Sequence, residues 1–278
     1  MDFVKMQGLG NDFVITQVDS WDGADVLQPW AEKLCDRRFG IGADGLVCIG
    51  KDQDADLFMR IFNPDGSEPE MCGNAIRCVG KYAFERGWVG KTDLSVRTLA
   101  GTRYPRVKVA GGRVTSVTVD MGEPILQRAR IPMAGNGGTV GVRTVTRFGD
   151  VEFTAVSMGN PHCVIFVPDI TAVPVEEWGP AMENHEMFPA KTNVEFVEVN
   201  TRADLTMRVW ERGAGVTLAC GTGACATLVA AVQNDLADRS AVVHLLGGDL
   251  WIEWKAADNH VYMTGPAVHV FNGQIDLG

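Results

Sequence analysis

Short runs in which apolar and polar positions alternate recur along the chain. DLFMRIF (56–62), SVRTLA (95–100), RVTSVTVDM (113–121), HCVIFV (162–167), VEFVEV (194–199), LTMRVWE (205–211) and LWIEWK (250–255) have strand length and are rich in β-branched or aromatic residues. They predict β-strands. Turn chemistry separates them at Asn63-Pro64-Asp65-Gly66, Gly111-Gly112 and Gly247-Gly248. Two longer segments, 73–86 and 221–234, read as helices. The second is small and apolar nearly all round (Ala224, Cys225, Ala226, Leu228, Val229, Ala230), so it has to be buried. Further helices are expected at 26–38 and 175–184.

The two halves repeat one another. GLGND around Asn11 matches MGNPH around Asn160, 149 residues on, and Cys72 matches Cys220 at 148. VRTLAG, ending at Gly101, matches VHLLGG, ending at Gly248, at 147; Gly122 matches Gly265 at 143. Four matches in one order at nearly one offset indicate an internal duplication. Asn63 and Asn193 are a further candidate pair, but an offset of 130 requires a shorter segment in the second copy. The fold class expected is α+β, with two pseudo-symmetric lobes. Each lobe is expected to be a mostly antiparallel sheet wrapped around a central helix, with the active site in the cleft between lobes. The N-terminal lobe spans 1–120, with 266–278 returning to it, and the C-terminal lobe spans 121–265.

Composition narrows the function. The 278 residues carry a formal charge of −10 and are 46% hydrophobic, which suits a globular chain and argues against nucleic-acid or anionic-membrane partners. A small-molecule substrate remains. Asp2, Lys5, Asp12 and Asp19 leave no room for an apolar signal core, and the run 224–232 is far shorter than a membrane span. Seven cysteines without a Cys-x-x-Cys point to a reducing cytoplasm.

Two attractive motifs fail on context. GIGADG (40–45) matches the dinucleotide glycine pattern, but a helix-like segment precedes it and a strand-like LVCIG follows, the reverse of the required order. It reads better as a tight helix-to-strand connection whose glycines supply positive φ. No pair among Cys72, Cys78, Cys220 and Cys225 has zinc-ligand spacing, so no metal is expected.

Cys35, Cys48, Cys78, Cys163 and Cys225 lie in apolar periodic stretches and read as core. Cys72 and Cys220 each stand at a helix start, where unpaired amides and the helix dipole favour a thiolate. Lobes related by an approximate two-fold axis would present one thiol to each side of a substrate. That suits stereoinversion at carbon, one thiolate removing a proton and the opposite thiol returning one. The helix-start amides would bind the substrate carboxylate and stabilise its developing charge. N-terminal packing inherited by duplication is the plainer alternative.

The motifs GLGNDF (8–13), FNPDGS (62–67), MCGNAIRC (71–78), SMGNPHCV (157–164), TNVEF (192–196), ERGAG with ACGTGA (211–215, 219–224) and YMTGPAVHV (262–270) span the whole chain. On these the sequence resembles the diaminopimelate epimerases, a family of cofactor-independent two-cysteine amino-acid epimerases. The resemblance implies inversion of one centre of LL-2,6-diaminoheptanedioate to the meso isomer, for lysine and peptidoglycan synthesis. It implies no cofactor, a homodimer and a cytoplasmic location. Cys220 would accept the proton in the LL-to-meso direction and Cys72 would donate. Gly73 with Asn74, and Gly221 with Thr222, would bind the reacting carboxylate. Asn11, Asn63, Asn160, Asn193, Glu211 and Arg212 would hold the other substrate groups, and His162 and Glu211 would tune the thiols. Gly45 and Val216 depart from residues common in the family (a glutamine and a glutamate), so no contact is carried over at Gly45. The alternatives are a related cofactor-independent racemase or isomerase of another amino acid, and an amino-acid-binding sensor without turnover.

Overall fold

In the computed structural model, which describes residues 1–277, the first unit grows from an N-terminal hairpin. Strands β1 (Asp2–Gly8) and β2 (Asn11–Gln17) turn through Leu9 and Gly10, both at positive φ (58° and 85°). A two-residue turn of that sign matches the right-handed twist of the strands. After α1 (Ala31–Cys35), strand β3 (Gly45–Gly50) runs parallel to β2, and β4 (Leu57–Phe62) returns antiparallel to β3. Helix α2 (Gly73–Glu85) then carries the chain to β5 (Val96–Thr98), parallel to β4, and β6 (Gly101–Arg103) pairs with β5. Parallel neighbours need a crossover, and the segments holding α1 and α2 supply the two required here. A hairpin of β7 (Arg106–Ala110) and β8 (Arg113–Asp120) packs on α2, which also contacts β1, β2 and β4. Every residue of β3 and β4 is buried because α2 lies on one side and an apolar cluster containing Ala31, Leu34, Cys35, Leu46, Cys48 and Phe62 lies on the other.

The second unit repeats the plan. Strands β9 (Val142–Thr146), β10 (Gly149–Ser157) and β11 (Pro161–Phe166) are antiparallel neighbours. Helix α3 (Val175–Glu183) leads to β12 (Asn193–Thr201), parallel to β11; β13 (Asp204–Glu211) is antiparallel to β12 and is extended by the short β14 (Gly215–Val216). Helix α4 (Gly221–Gln233) leads to β15 (Ser240–Leu245), parallel to β13, then to β16 (Gly248–Trp254) and β17 (Val261–Gly265). Residues Gly223 to Ala231 of α4 are all buried against strands of this unit, as an all-round apolar helix demands. The chain closes with β18 (Val268–Gln274), which pairs with β1 and gives the first sheet the order β18-β1-β2-β3-β4-β5-β6. Two compact units result, one being Met121–Met263 and the other Met1–Asp120 with the segment from Thr264 onward. No helix among the described residues is long and apolar enough to cross a membrane.

Strand register supports the duplication and corrects one of its details. Phe13 faces Gly45 as His162 faces Asn193, Leu46 faces Phe62 as Val194 faces Trp210, and Leu57 faces Val96 as Leu205 faces Val243. These partners keep offsets of 147 to 149, so Asn193 corresponds to Gly45, and Asn63, directly after Phe62, corresponds to Glu211. Asn63 and Asn193 are therefore not equivalent, and no shortened segment is needed. The sheets are mixed: most pairs are antiparallel, while β2 with β3, β4 with β5, β11 with β12 and β13 with β15 are parallel.

The helix expected at 26–38 is a second correction. Only Ala31–Cys35 is α-helical, preceded by 3-10 turns at Asp22–Val26 and Gln28–Trp30. Pro29 cannot donate a helical hydrogen bond, and Asp36 Oδ1 accepts from the amides of Arg38 and Phe39, which turns the chain out of the helix. GIGADG does connect helix to strand, but among its glycines only Gly42 has positive φ (78°). Gly40 is required for space, since a Cβ there would lie 2.0 Å from the Lys33 carbonyl oxygen.

A glycine of α3 also fixes the second unit. A Cβ on Gly179 would lie 2.4 Å from Trp210 Cγ, and the indole is held by its Nε1 donating to Glu183 Oε2 at 2.7 Å. Gly179→Ala is expected to lower stability by about 1–3 kcal/mol through overpacking, seen as a melting temperature several degrees lower. An unchanged melting curve would show that Trp210 repacks without strain.

Candidate active site

Each unit ends a strand, makes a loop and starts a 13-residue helix on a cysteine. In the first unit Cys72 caps α2 in extended conformation (φ −134°, ψ 118°), and its carbonyl accepts from the Ile76 amide at 3.0 Å. The buried Asn74 side chain donates to Asn11 Oδ1 at 3.0 Å, and Cys72 Sγ approaches the same oxygen at 4.0 Å. Asn11 holds this orientation because its Nδ2 donates to Asp44 Oδ2 at 2.8 Å, and a carboxylate only accepts. Asp44 is in turn gripped by Arg37, which also binds Asp12. Burial pushes the Asp12 carboxyl up, but hydrogen bonds from Arg37 and Lys5 outweigh it and hold the pKa at about 2. The fully buried Arg77 anchors the start of α2, donating through Nε to the Pro266 carbonyl at 3.1 Å and through Nη1 to the Gly73 carbonyl at 3.4 Å. Asn63 lies in the turn after β4, its Nδ2 donating to Ser67 Oγ at 2.9 Å.

In the second unit Cys220 caps α4 in the same conformation (φ −121°, ψ 109°), and its sulfur accepts from the Gly223 amide at 3.4 Å. Thr222 Oγ1 lies 3.5 Å from that sulfur and accepts from Asn160 Nδ2 at 3.3 Å. Asn160 Oδ1 contacts His162 Nε2 at 3.0 Å, and His162 Nδ1 contacts Glu195 Oε1 at 2.7 Å, with both side chains fully buried. A Cβ on Gly223 would come within 2.8 Å of Glu195 Oε1 and 3.2 Å of Cys220 Sγ, so only glycine lets the helix start this close. Asn193 is a brace between strand ends: its Nδ2 donates to the Pro161 carbonyl at 2.8 Å and its Oδ1 accepts from the Arg212 amide at 3.0 Å. Arg212 is exposed, with Nη1 on the Ala190 carbonyl at 3.1 Å. Glu211 accepts from Thr217 and from the Cys220 thiol.

The electrostatics distinguish Cys220 from an exposed thiol. Burial raises its pKa well above the usual value, and the negative charges of Glu211 and Glu195 add to that, while hydrogen bonds from Thr222 and the Gly223 amide work against it. Burial raises the Glu211 carboxyl as well, against the hydrogen bonds it accepts. The cysteines read as core are all buried. Burial raises the pKa of Cys35 to about 11, those of Cys48 and Cys78 to about 12, and that of Cys163 further still. Brief iodoacetamide treatment of the native protein at pH 8 should therefore leave these four unmodified by peptide mapping. Rapid labelling at Cys78 or Cys163 would contradict their packing.

Asn11, Cys72, Gly73 and Asn74 thus meet at the start of α2, and Asn160, His162, Glu211, Cys220, Gly221 and Thr222 at the start of α4. Glu195 and Asp44 were not anticipated. Glu195 carried one available signal, a charge between Val194 and Phe196 in TNVEF. Asp44 lies in GIGADG, where attention falls on the glycines.

Comparison with known proteins finds relatives that match along the whole chain. The sequence model of the family described as "Diaminopimelate epimerase" matches residues 3–127 and 154–270. A curated diaminopimelate epimerase of Moorella thermoacetica is 55% identical over 278 residues, covering all of both chains. One from Methanococcus maripaludis is 50% identical over 278 residues, again covering all of both. Among solved structures, a hydroxyproline epimerase from Agrobacterium vitis superposes with a TM-score of 0.72 at 17% identity, covering 100% of this chain and 92% of that one. A PhzF-family phenazine biosynthesis protein of Bacillus anthracis gives 0.72 at 16% identity, covering 99% of each. At such identities these two structures speak to the fold alone.

Proposed function

We propose, starting from a chain that belongs to the diaminopimelate epimerase family, that it interconverts LL-2,6-diaminoheptanedioate and the meso isomer by two-base proton transfer in lysine and peptidoglycan precursor synthesis. The chain is accordingly an isomerase. In the LL-to-meso direction Cys220 takes the α-proton as thiolate and Cys72 returns a proton to the opposite face as thiol. The supporting observation is that the two cysteines are register-equivalent, each standing in extended conformation at the N-cap of a 13-residue helix. Gly73 and Asn74, with Gly221 and Thr222, bind the reacting carboxylate through their backbone amides. As the α-proton leaves, charge grows on that carboxylate, and donors already in place stabilise it without reorganising. Asn11, Asn63, Asn160, Glu211 and Arg212 hold the amino groups and the distal carboxylate, and Asn193 serves the pocket by fixing the Arg212 backbone. His162 and Glu211 set the protonation of Cys220.

Incubation with LL-diaminopimelate in D₂O, followed by proton NMR, tests this directly. The α-proton signal should fade as the meso isomer appears. Binding without exchange would favour a sensor instead.

The working form is proposed to be a cytoplasmic homodimer. Support comes from β18, an edge strand carrying Val268, Val270 and Phe271 at 43%, 50% and 45% exposure. An apolar sheet edge of this kind is a liability unless covered. Sedimentation analysis measures the oligomeric state.

A further inference from the structure

Glu195 has no role in the chemistry described so far, yet it is fully buried beside it. Its Oε1 contacts His162 Nδ1 at 2.7 Å, and its Oε2 is buried without a hydrogen bond among the described residues. A carboxylate taken out of water needs a positive or protonated neighbour. Here that neighbour is the imidazole, so Nδ1 carries a hydrogen toward Glu195. The other ring nitrogen, Nε2, lies 3.0 Å from Asn160 Oδ1, an atom that only accepts, so Nε2 carries a hydrogen too.

The orientation propagates to the sulfur. With Oδ1 committed to His162, Asn160 turns Nδ2 to Thr222 Oγ1 at 3.3 Å. Thr222, accepting that bond, keeps its own hydrogen for Cys220 Sγ at 3.5 Å, beside the donor already supplied by Gly223. Donors on a sulfur favour the thiolate. Were Nε2 bare, every bond would reverse. Asn160 Nδ2 would face the ring, Thr222 would donate to Asn160 Oδ1, and the threonine oxygen would compete with Glu211 for the Cys220 thiol hydrogen. One hydrogen on Nε2 therefore decides whether Thr222 donates to Cys220, which favours the proton acceptor, or accepts from it, which favours the proton donor, the two states a reversible epimerase needs.

We propose that Glu195 is the positioning residue that makes this selection possible, by holding His162 in the orientation with Nδ1–H fixed so that Nε2 is the nitrogen that gains and loses the hydrogen read out at Cys220. The proposal rests on the assignment of Cys220 as a proton carrier. The titratable groups facing His162 and Cys220 within the second unit are Glu195 from β12 and Glu211 from β13.

Nitrogen-15 NMR of His162 in the wild-type protein should show a hydrogen held on Nδ1; a bare Nδ1 would overturn the proposal. Glu195→Gln can either donate to Nδ1 or accept from it, so the Nδ1–H is no longer fixed. It should lower kcat about tenfold or more with KM within twofold, and should alter the pH profile of kcat. Thr222→Val, which cuts the chain at the sulfur, should alter the profile in the same way while the His162 spectrum stays as in wild type. An unchanged kcat and pH profile in Glu195→Gln would also overturn the proposal. The wild-type spectrum does not depend on turnover, so failure of the two-cysteine mechanism, read from Cys220→Ala, is distinguishable from failure of this switch.

Discussion

Cys220→Ala is expected to lower epimerisation by about a thousandfold, and Cys72→Ala by a comparable factor, because each removes the proton carrier for one face of the α-carbon. The first amides of α2 and α4 remain in both variants, so substrate should still bind with KM changed far less than kcat. Loss in kcat alone is the signature of a group that acts in the transition state. Both cysteines start their helices in extended backbone conformation, and replacing either with alanine keeps that cap while removing the sulfur's contacts, with Asn11 for Cys72 and with Thr222, Gly223 and Glu211 for Cys220. Circular dichroism should therefore match the wild type. Stereochemical assay of product by chiral chromatography measures the effect. Either variant retaining more than a tenth of wild-type kcat would remove the two-base mechanism.

The second large effect concerns the distal end of the substrate. L-Lysine lacks the distal carboxylate, and kcat/KM for its epimerisation should fall by about ten-thousandfold or more relative to LL-diaminopimelate. A pocket built for a hydrogen-bonded group leaves its own polar atoms unpaired when the group is missing. Arg212 is the cation assigned to that carboxylate. Its backbone is fixed by Asn193 and its Nη1 by the Ala190 carbonyl, which leaves the rest of a planar fork for the ligand. Lysine at position 212 offers a single ammonium that cannot serve the Ala190 carbonyl and two carboxylate oxygens with the same geometry. Arg212→Lys should therefore raise KM for diaminopimelate while narrowing its advantage over lysine. Comparable turnover of the two amino acids by the wild type would place the distal pocket elsewhere.

Much of the fold was legible because hydrophobic periodicity and the duplication speak about the same residues. The runs around Leu57–Phe62, Asp204–Glu211 and Gly248–Trp254 alternate plainly, and α4 declares its burial through composition. The segment before β3 did not read correctly, since an apolar spacing typical of a helix was interrupted by Pro29 and ended by an Asp36 side chain. Parallel pairing was invisible for a different reason: strand direction is decided by crossovers and leaves no mark on alternation. The Asn63–Asn193 pairing failed because asparagine is common in both turns and sites, and only register distinguishes them. The cysteines and helix-start residues stood out by motif. Glu195 and Asp44 did not, because their importance lies in which atom of a neighbour they orient.

The return of β18 to the first sheet has a consequence for how the protein is made. The Met1 amino group and the Ile275 carbonyl are 2.6 Å apart, and β1 pairs with β18 across almost the whole sequence. During synthesis the ribosome releases every residue of Met121–Met263 before it releases the strand that completes the earlier unit. The half containing Cys220 is therefore complete in the emerging chain before the half containing Cys72, in which β1 stays an unfilled edge until β18 follows.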